Sequence, residues 1–282
     1  MFSSGVRYII LSVSAFALVN VLVKLMPRIP AHELIFFRSL ISLVFCVVHI
    51  KILGIAVLGN NKFWLVIRGL CGIVALTLFF LTIKHMPLAS ATTIQYLSPM
   101  FTVILAIFIN KQGVKPIQFL FFAIAFAGVI LIKGLDDRVS IIWLVVGIIS
   151  AFFAALAYNA IIKCRNTDHP VVVVLYFPLL AIPVMGVWSY FDWVQPAGIE
   201  WLMLLGMGAL TQVAQIAMVK ALHLEQASKI TPYKYIGSFY AIIFGFFIFQ
   251  EKLHWLSMVG IALVVIGVLL NSRVKVQAVK QI

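Results

Sequence analysis

Charge is scarce in this sequence. Of its 282 residues only 10% are charged, and only eight of those are acids. A soluble domain carries about a quarter charged residues and is nearer half apolar, whereas this chain is 64% hydrophobic. It has no linker, no low-complexity segment and no stretch that reads as a soluble domain. The three cysteines, Cys46, Cys71 and Cys164, are odd in number and scattered through apolar runs. That spacing argues against a disulfide framework or a metal site and fits small buried hydrophobes. There is no His-Glu-x-x-His, no Asp-rich motif and no set of paired carboxylates or Ser, His and Asp in a meaningful pattern. An intramembrane transferase or hydrolase needs acid–base or metal groups within reach of one another, so the chain is not read as an enzyme, and no cofactor or metal is expected. No Asp or Glu falls in the middle of an apolar run, and the six histidines also lie near run ends. An embedded proton relay of the kind that proton-coupled pumps bury is therefore missing, although Glu33, Glu225 and Glu251 keep proton coupling open. Exchange or facilitated diffusion is favoured. No removable signal peptide stands out: the first apolar run leads into VLVKLMPRIP without a small-residue cleavage site.

Long apolar runs, in contrast, recur from end to end. Runs of about 20 residues suit helices that cross a hydrocarbon core. The pattern predicts an all-α membrane protein with ten transmembrane helices near 6–26, 32–52, 63–84, 87–110, 116–134, 140–163, 170–191, 199–222, 225–249 and 253–271. The breaks between them (MPRIP, LGNN, KHMP, NKQGVKP, KGLDDR, CRNTDHP, DWVQPAG, HLEQ, QEK) hold proline, glycine or charge, the usual punctuation. Ten spans put both termini on one side. The loops of that side, with Arg7, Lys51, Lys62, Lys163 and Lys220, hold more Lys and Arg than those of the other, with Lys24, Arg28, Lys84 and Lys252. Positive charge stays inside, so both termini are expected in the cytoplasm. The net charge of +13 is thereby explained by orientation, and no nucleic-acid partner is expected.

The sequence also matches itself. SAFALVNVLVK in the first span resembles SAFFAALAYNAIIK in the sixth, placing Asn20 on Asn159 and Lys24 on Lys163, an offset of 139 residues. IQYLSPMFTVILAIFI in the fourth span resembles YKYIGSFYAIIFGFFI in the ninth, placing Gln95 on Lys234 and Pro99 on Ser238. AIAFAGVIL near the end of the first half resembles IALVVIGVL in the tenth span. The chain therefore divides into 1–134 and 135–282, five spans each. An odd number of spans makes the second unit enter the membrane from the opposite side. Transporters built as inverted repeats hold their substrate near the midplane, between the halves.

The segments FFRSLIS (36–42), RGLCG (68–72) and HMPLASATTIQYLSPMF (85–101), with INKQGVKP…AGVILI and IFQEKLHW…IGVLL closing the two halves, make the chain resemble the drug/metabolite transporter superfamily, EamA type, with two EamA repeats. The resemblance covers the whole chain. It implies ten helices, cytoplasmic termini and a central cavity lined by the first, third, fourth, sixth, eighth and ninth spans. It further implies transport of amino acids, other small metabolites, S-adenosylmethionine or nucleotide sugars. One departure is visible: the second repeat has the family's Glu-containing turn after its fourth span (Glu251), while the first reads Asn110-Lys111-Gln112.

Residues three, four and seven apart share a helix face. Thr231, Lys234 and Ser238 form one polar stripe on the ninth span, and their repeat mates Thr92, Gln95 and Pro99 form another on the fourth. A lysine inside a span costs about 2.5–3.5 kcal/mol on insertion scales, so Lys234 should face protein or a water-filled cavity. It is read as a substrate contact, against the alternatives of bonding to carbonyls or snorkelling. Lys229, one turn nearer the span end, is read as snorkelling. Pro99 and Pro232 break the backbone ladder where a cavity can be lined and are assigned structural or gating roles. Further site candidates are Gln215 on the Gly208–Thr211–Gln215 face with Gln212 beside it, Tyr158 next to Asn159, and Asn20 on the Ser12–Phe16–Asn20 face. The bland alternative for each is an interhelical hydrogen bond of about 0.6 kcal/mol. Arg38 is expected to bind helix-end carbonyls or Glu33 as a structural or gating residue, and Arg68 to anchor at the interface.

Cations embedded without anions favour a substrate bearing a carboxylate or phosphate. The expectation is a secondary transporter for a small zwitterionic or anionic metabolite, such as an amino acid or derivative, working by alternating access in a bacterial cytoplasmic membrane. The alternatives are an uptake permease or exchanger for S-adenosylmethionine or a nucleotide-like metabolite and, in a different class, a passive pore or a non-transporting receptor. The expected partners are a small-molecule substrate and the lipid bilayer, and the chain is compatible with a homodimer.

Overall fold

The computed structural model of the chain describes residues 3–110, 115–133, 139–225, 230 and 233–274. Every regular element among them is a helix: α1 Ser4–Leu25, α2 Ala31–Leu53, α3 Lys62–His85, α4 Leu88–Gln95, α5 Ser98–Asn110, α6 Pro116–Lys133, α7 Ile141–Lys163, α8 Pro170–Phe191, α9 Ile199–Leu224, α10 Ile236–Phe249 and α11 Trp255–Arg273. Seven helical segments are long and apolar enough to cross a membrane, α4 and α5 counting together as one, and three shorter apolar helices accompany them. The protein is a multi-pass membrane protein. Its outward faces agree: Phe63, Phe108, Ile130, Phe191 and Phe247 are exposed, which suits lipid and not water.

The fourth apolar run departs from the expected single helix over 87–110. Tyr96 and Leu97 form a turn between α4 and α5, where Leu97 N bonds to Ile94 O at 3.0 Å and Pro99 has no N–H to continue the ladder. The ninth run also breaks. Residues 233–234 are helical, Tyr235 makes a turn, and α10 starts at Ile236. Tyr96 and Tyr235 occupy the same position in the two repeats, and their rings meet at 5.0 Å between centroids, tilted by 55°. Thr231, Pro232 and Lys229 lie outside the described residues.

The helices of the two halves interleave. α1 packs on α9, α3 on α7, α2 on α8, α4 on α10 and α6 on α11. Exchanging the repeats turns the α1–α9 pair into the α7–α3 pair and maps the α2–α8 and α6–α11 pairs each onto itself, as a two-fold relation requires. Between α6 and α11 the backbones nearly touch: a Cβ at Gly128 would lie 2.6 Å from Gly260 O, and one at Gly260 would lie 2.5 Å from Gly128 O. Small residues permit such approach in a membrane, where association rests on van der Waals contact.

Two of the acids clasp loops. Glu33, at the start of α2, accepts Val194 N at 3.0 Å from the α8–α9 loop. Asp168, between α7 and α8, accepts Asn60 N at 2.5 Å from the α2–α3 loop. These loop pairs correspond under the repeat. The cysteines are free, Cys46 and Cys164 being buried and Cys71 partly so.

Candidate functional site

One cavity of about 190 Å³ lies between the halves. Asn20 of α1, Thr92 and Gln95 of α4, Tyr158 of α7, Gln215 of α9 and Lys234 beside the α10 break all line it. The six spans expected around it each contribute, and α2 and α8 add Arg38 and Phe177. Broken helices are how inverted-repeat transporters present polar groups at mid-membrane, and here both breaks reach the cavity, through Gln95–Tyr96 and through Lys234.

Lys234 does not snorkel. Its Nζ stands 4.3 Å from the centroid of the Tyr158 ring, a cation–π contact that partly replaces lost hydration. Gln95 Oε1 accepts from Ser150 Oγ at 3.0 Å, which orients the amide at the cavity edge. Thr92 lines the cavity, but its hydroxyl donates within its own helix to Leu88 O at 2.8 Å.

Arg68 corrects an expectation. It is buried rather than interfacial, 3% exposed, and its Nη2 donates to Gln215 Oε1 at 2.9 Å. The reason lies in the RGLCG segment. A Cβ at Gly69 would meet Tyr176 O of α8 at 2.8 Å, and one at Gly72 would meet Arg68 Nη1 at 2.8 Å and Phe177 at 3.0 Å. The two glycines let α8 close over α3 and leave room for the guanidinium inside. Arg38 also differs from its expected pairing: it is not bound to Glu33, which accepts Val194 N instead. Its guanidinium carbon lies 5.7 Å from the Phe80 ring and 5.4 Å from Phe177, and the Arg68 guanidinium carbon also lies 5.4 Å from the Phe177 ring. Nε and Nη1 of Arg38 and Nε of Arg68 are buried without a hydrogen-bond partner among the described residues. Among the described residues no Asp or Glu lines the cavity.

Other candidates fall outside it. Ser238 is buried but absent from the lining, as is Pro99. Asn159, repeat mate of Asn20, donates to Thr102 O at 3.2 Å and Ala155 O at 3.0 Å and joins helices. The Gly208–Thr211–Gln215 face divides: Gly208 packs on Ile41, Gln212 accepts from Ser42 Oγ at 2.5 Å, and only Gln215 reaches the cavity. Ser12 and Phe16 do line it, with Ser12 Oγ bonded to Ala214 O at 2.8 Å. Sequence reasoning missed Arg68, Tyr96 and Phe177. The signal for Arg68 was the glycine pair after it, and for Tyr96 its register with Tyr235; nothing in the sequence marked Phe177.

The comparisons agree with this architecture. A crystal structure of a protein superimposes with a TM-score of 0.71 over 95% of this chain and 96% of that one, at 17% identity, a likeness of fold alone. The pseudopaline exporter CntI of Pseudomonas aeruginosa is 30% identical over 282 residues, covering 98% of both chains. Human solute carrier family 35 member G1 is 28% identical, over 93% of this chain and 76% of its own. An S-adenosylmethionine uptake transporter of Rickettsia prowazekii is 23% identical, over 88% and 85%. The EamA-like transporter family matches twice, at residues 3–134 and 141–273. A transporter and not an enzyme is what these matches point to, and the chain belongs to the EamA-like transporter family, whose unit it carries twice.

Proposed function

We propose that the protein is a secondary transporter that moves a small anionic or zwitterionic metabolite, such as an amino acid or derivative, across a bacterial cytoplasmic membrane by alternating access. The observation that carries this reading is the cavity itself: Arg38, Arg68 and Lys234 line it, and no carboxylate among the described residues does. Buried cations without counter-ions are costly, and a bound acid relieves that cost. The architecture proposed is ten spans, with α4 and α5 forming the fourth and α10 completing the ninth, arranged as two inverted five-helix units with both termini cytoplasmic. The pairwise packing of the helices supports the two-fold relation, and the excess of Lys and Arg in the terminal-side loops supports the orientation. The reading takes Lys234, Gln95, Gln215, Asn20 and Tyr158 as substrate contacts, with Thr92 and Ser238 shaping the helices that present them.

A second reading, uptake or exchange of S-adenosylmethionine or a nucleotide-like metabolite, is favoured by the similarity to the Rickettsia transporter. A cavity of about 190 Å³ weighs against it, since pockets for drug-sized ligands span about 300–1,000 Å³, and so does the sulfonium charge facing three cations. Counterflow in proteoliposomes tests the proposal. A zwitterion or acid that stabilises the purified protein should exchange with its labelled form across the membrane. Binding without flux would indicate a receptor, flux without counterflow would indicate a pore, and preference for simple monovalent cations would overturn the reading.

A further inference from the structure

The transporter reading leaves the number of acid groups on the substrate unstated, and the cavity bears on it. Its cations fall into two sets. Arg38 and Arg68, from α2 and α3, share one ring, Phe177, each at 5.4 Å from its centroid. Lys234, from the far repeat, stands on Tyr158. Arg38 is 1% exposed and lines the cavity with Nε and Nη1 unpartnered. Arg68 donates to one neutral amide, Gln215. Guanidinium forks are matched to carboxylate and phosphate oxygens, whereas an ammonium acts as a point charge. A single carboxylate on the arginine pair would leave Lys234 uncompensated, and one on Lys234 would leave two guanidiniums so.

We propose that the substrate carries two separate acid groups, one held by the Arg38–Arg68 pair and the other by Lys234. The inference rests on the transporter reading and narrows its substrate class to small molecules with two acid groups, with any amino group directed toward Gln95 and Asn20 rather than toward a carboxylate.

Matched pairs of probes test it: glutamate against glutamine, and O-phosphoserine against serine. Each is titrated by thermal stabilisation of the full-length protein in a gluconate buffer free of chloride. The diacid of a pair is expected to half-saturate at a concentration at least about tenfold below that of its monoacid mate, a difference of about 1.4 kcal/mol. Preference within the first pair names a dicarboxylate, and preference within the second a phosphate. Arg38→Gln should bring glutamate down to the level of glutamine, while Arg38→Lys, which keeps the charge, should retain part of the preference. Equal half-saturation of both members in both pairs overturns the two-acid inference and leaves the transporter reading standing. No response to either diacid overturns it as well. Stabilisation by choline or leucine amide in place of the acids overturns both. Should Arg38→Gln fail to fold, the wild-type ratios together with Arg38→Lys decide the question.

Discussion

Lys24 at the end of α1 is ion-paired with Glu251 in the loop after α10. The same carboxylate accepts Leu88 N, at the start of α4, through its other oxygen at 2.9 Å, and Lys24 also donates to Met86 O at 2.8 Å. One acid thus ties the ends of three segments together on the side where α1 ends. Its counterpart in the first repeat, Gln112, cannot carry the same charge and lies outside the described residues.

Glu251→Gln should loosen this closure. The amide can still accept Leu88 N but loses its charge attraction to Lys24. An equilibrium change of about 1–2 kcal/mol shifts populations roughly 5- to 30-fold. A cysteine placed at Ala17, which lines the cavity, in a background without the native cysteines, should then react faster with an impermeant maleimide added from that side. An unchanged rate would remove Glu251 from gating.

Gly72→Ala separates positioning from folding. The added methyl would meet the far end of the Arg68 side chain at 2.8 Å and the Phe177 ring at 3.0 Å, so the guanidinium is displaced by a side-chain shift and the fold survives. Ligand affinity should fall several-fold with a small change in Tm. A large loss of Tm with affinity retained would show that Gly72 serves only helix packing.

Gln215→Leu removes the acceptor of Arg68. Leaving a buried donor unsatisfied costs about 1–3 kcal/mol, visible as a lower Tm without ligand. Binding should weaken too, and a saturating acidic ligand should recover part of the lost Tm by binding only the folded state.

Gly260→Val should act on stability alone. Its side chain would collide with Gly128 O and Ile132 N, at 2.5 and 2.7 Å from the Cβ. Overpacking of this kind costs about 1–3 kcal/mol. The Tm should drop while the half-saturating ligand concentration of the remaining folded protein stays unchanged.

Cys164, just past α7, is fully buried. Burial, and then the Asp168 carboxylate, push its thiol up to about 12. The thiolate is the reactive form, so the folded protein should resist alkylation at Cys164 at neutral pH. Unfolding returns the group to its ordinary range and should release the reaction, which makes Cys164 a reporter of global unfolding.

Much of this molecule follows from the sequence by itself. Span positions, the internal repeat and the placing of acids at helix ends all follow from hydropathy and punctuation, because a bilayer demands long apolar helices and penalises charge between their ends. Lys234 was legible for the same reason: a cation in an apolar run has few places to go. The tertiary structure decided which polar residues meet. Asn20 and Asn159 are repeat mates on equivalent faces, yet one lines the cavity and the other bonds to Thr102, because α7 packs on α5 there. Arg68 reads as an interface anchor by its distance from the helix start, and becomes a cavity residue only because Gly69 and Gly72 let α8 close over it. Periodicity gives the face of a helix; what that face meets depends on how closely its neighbours can approach.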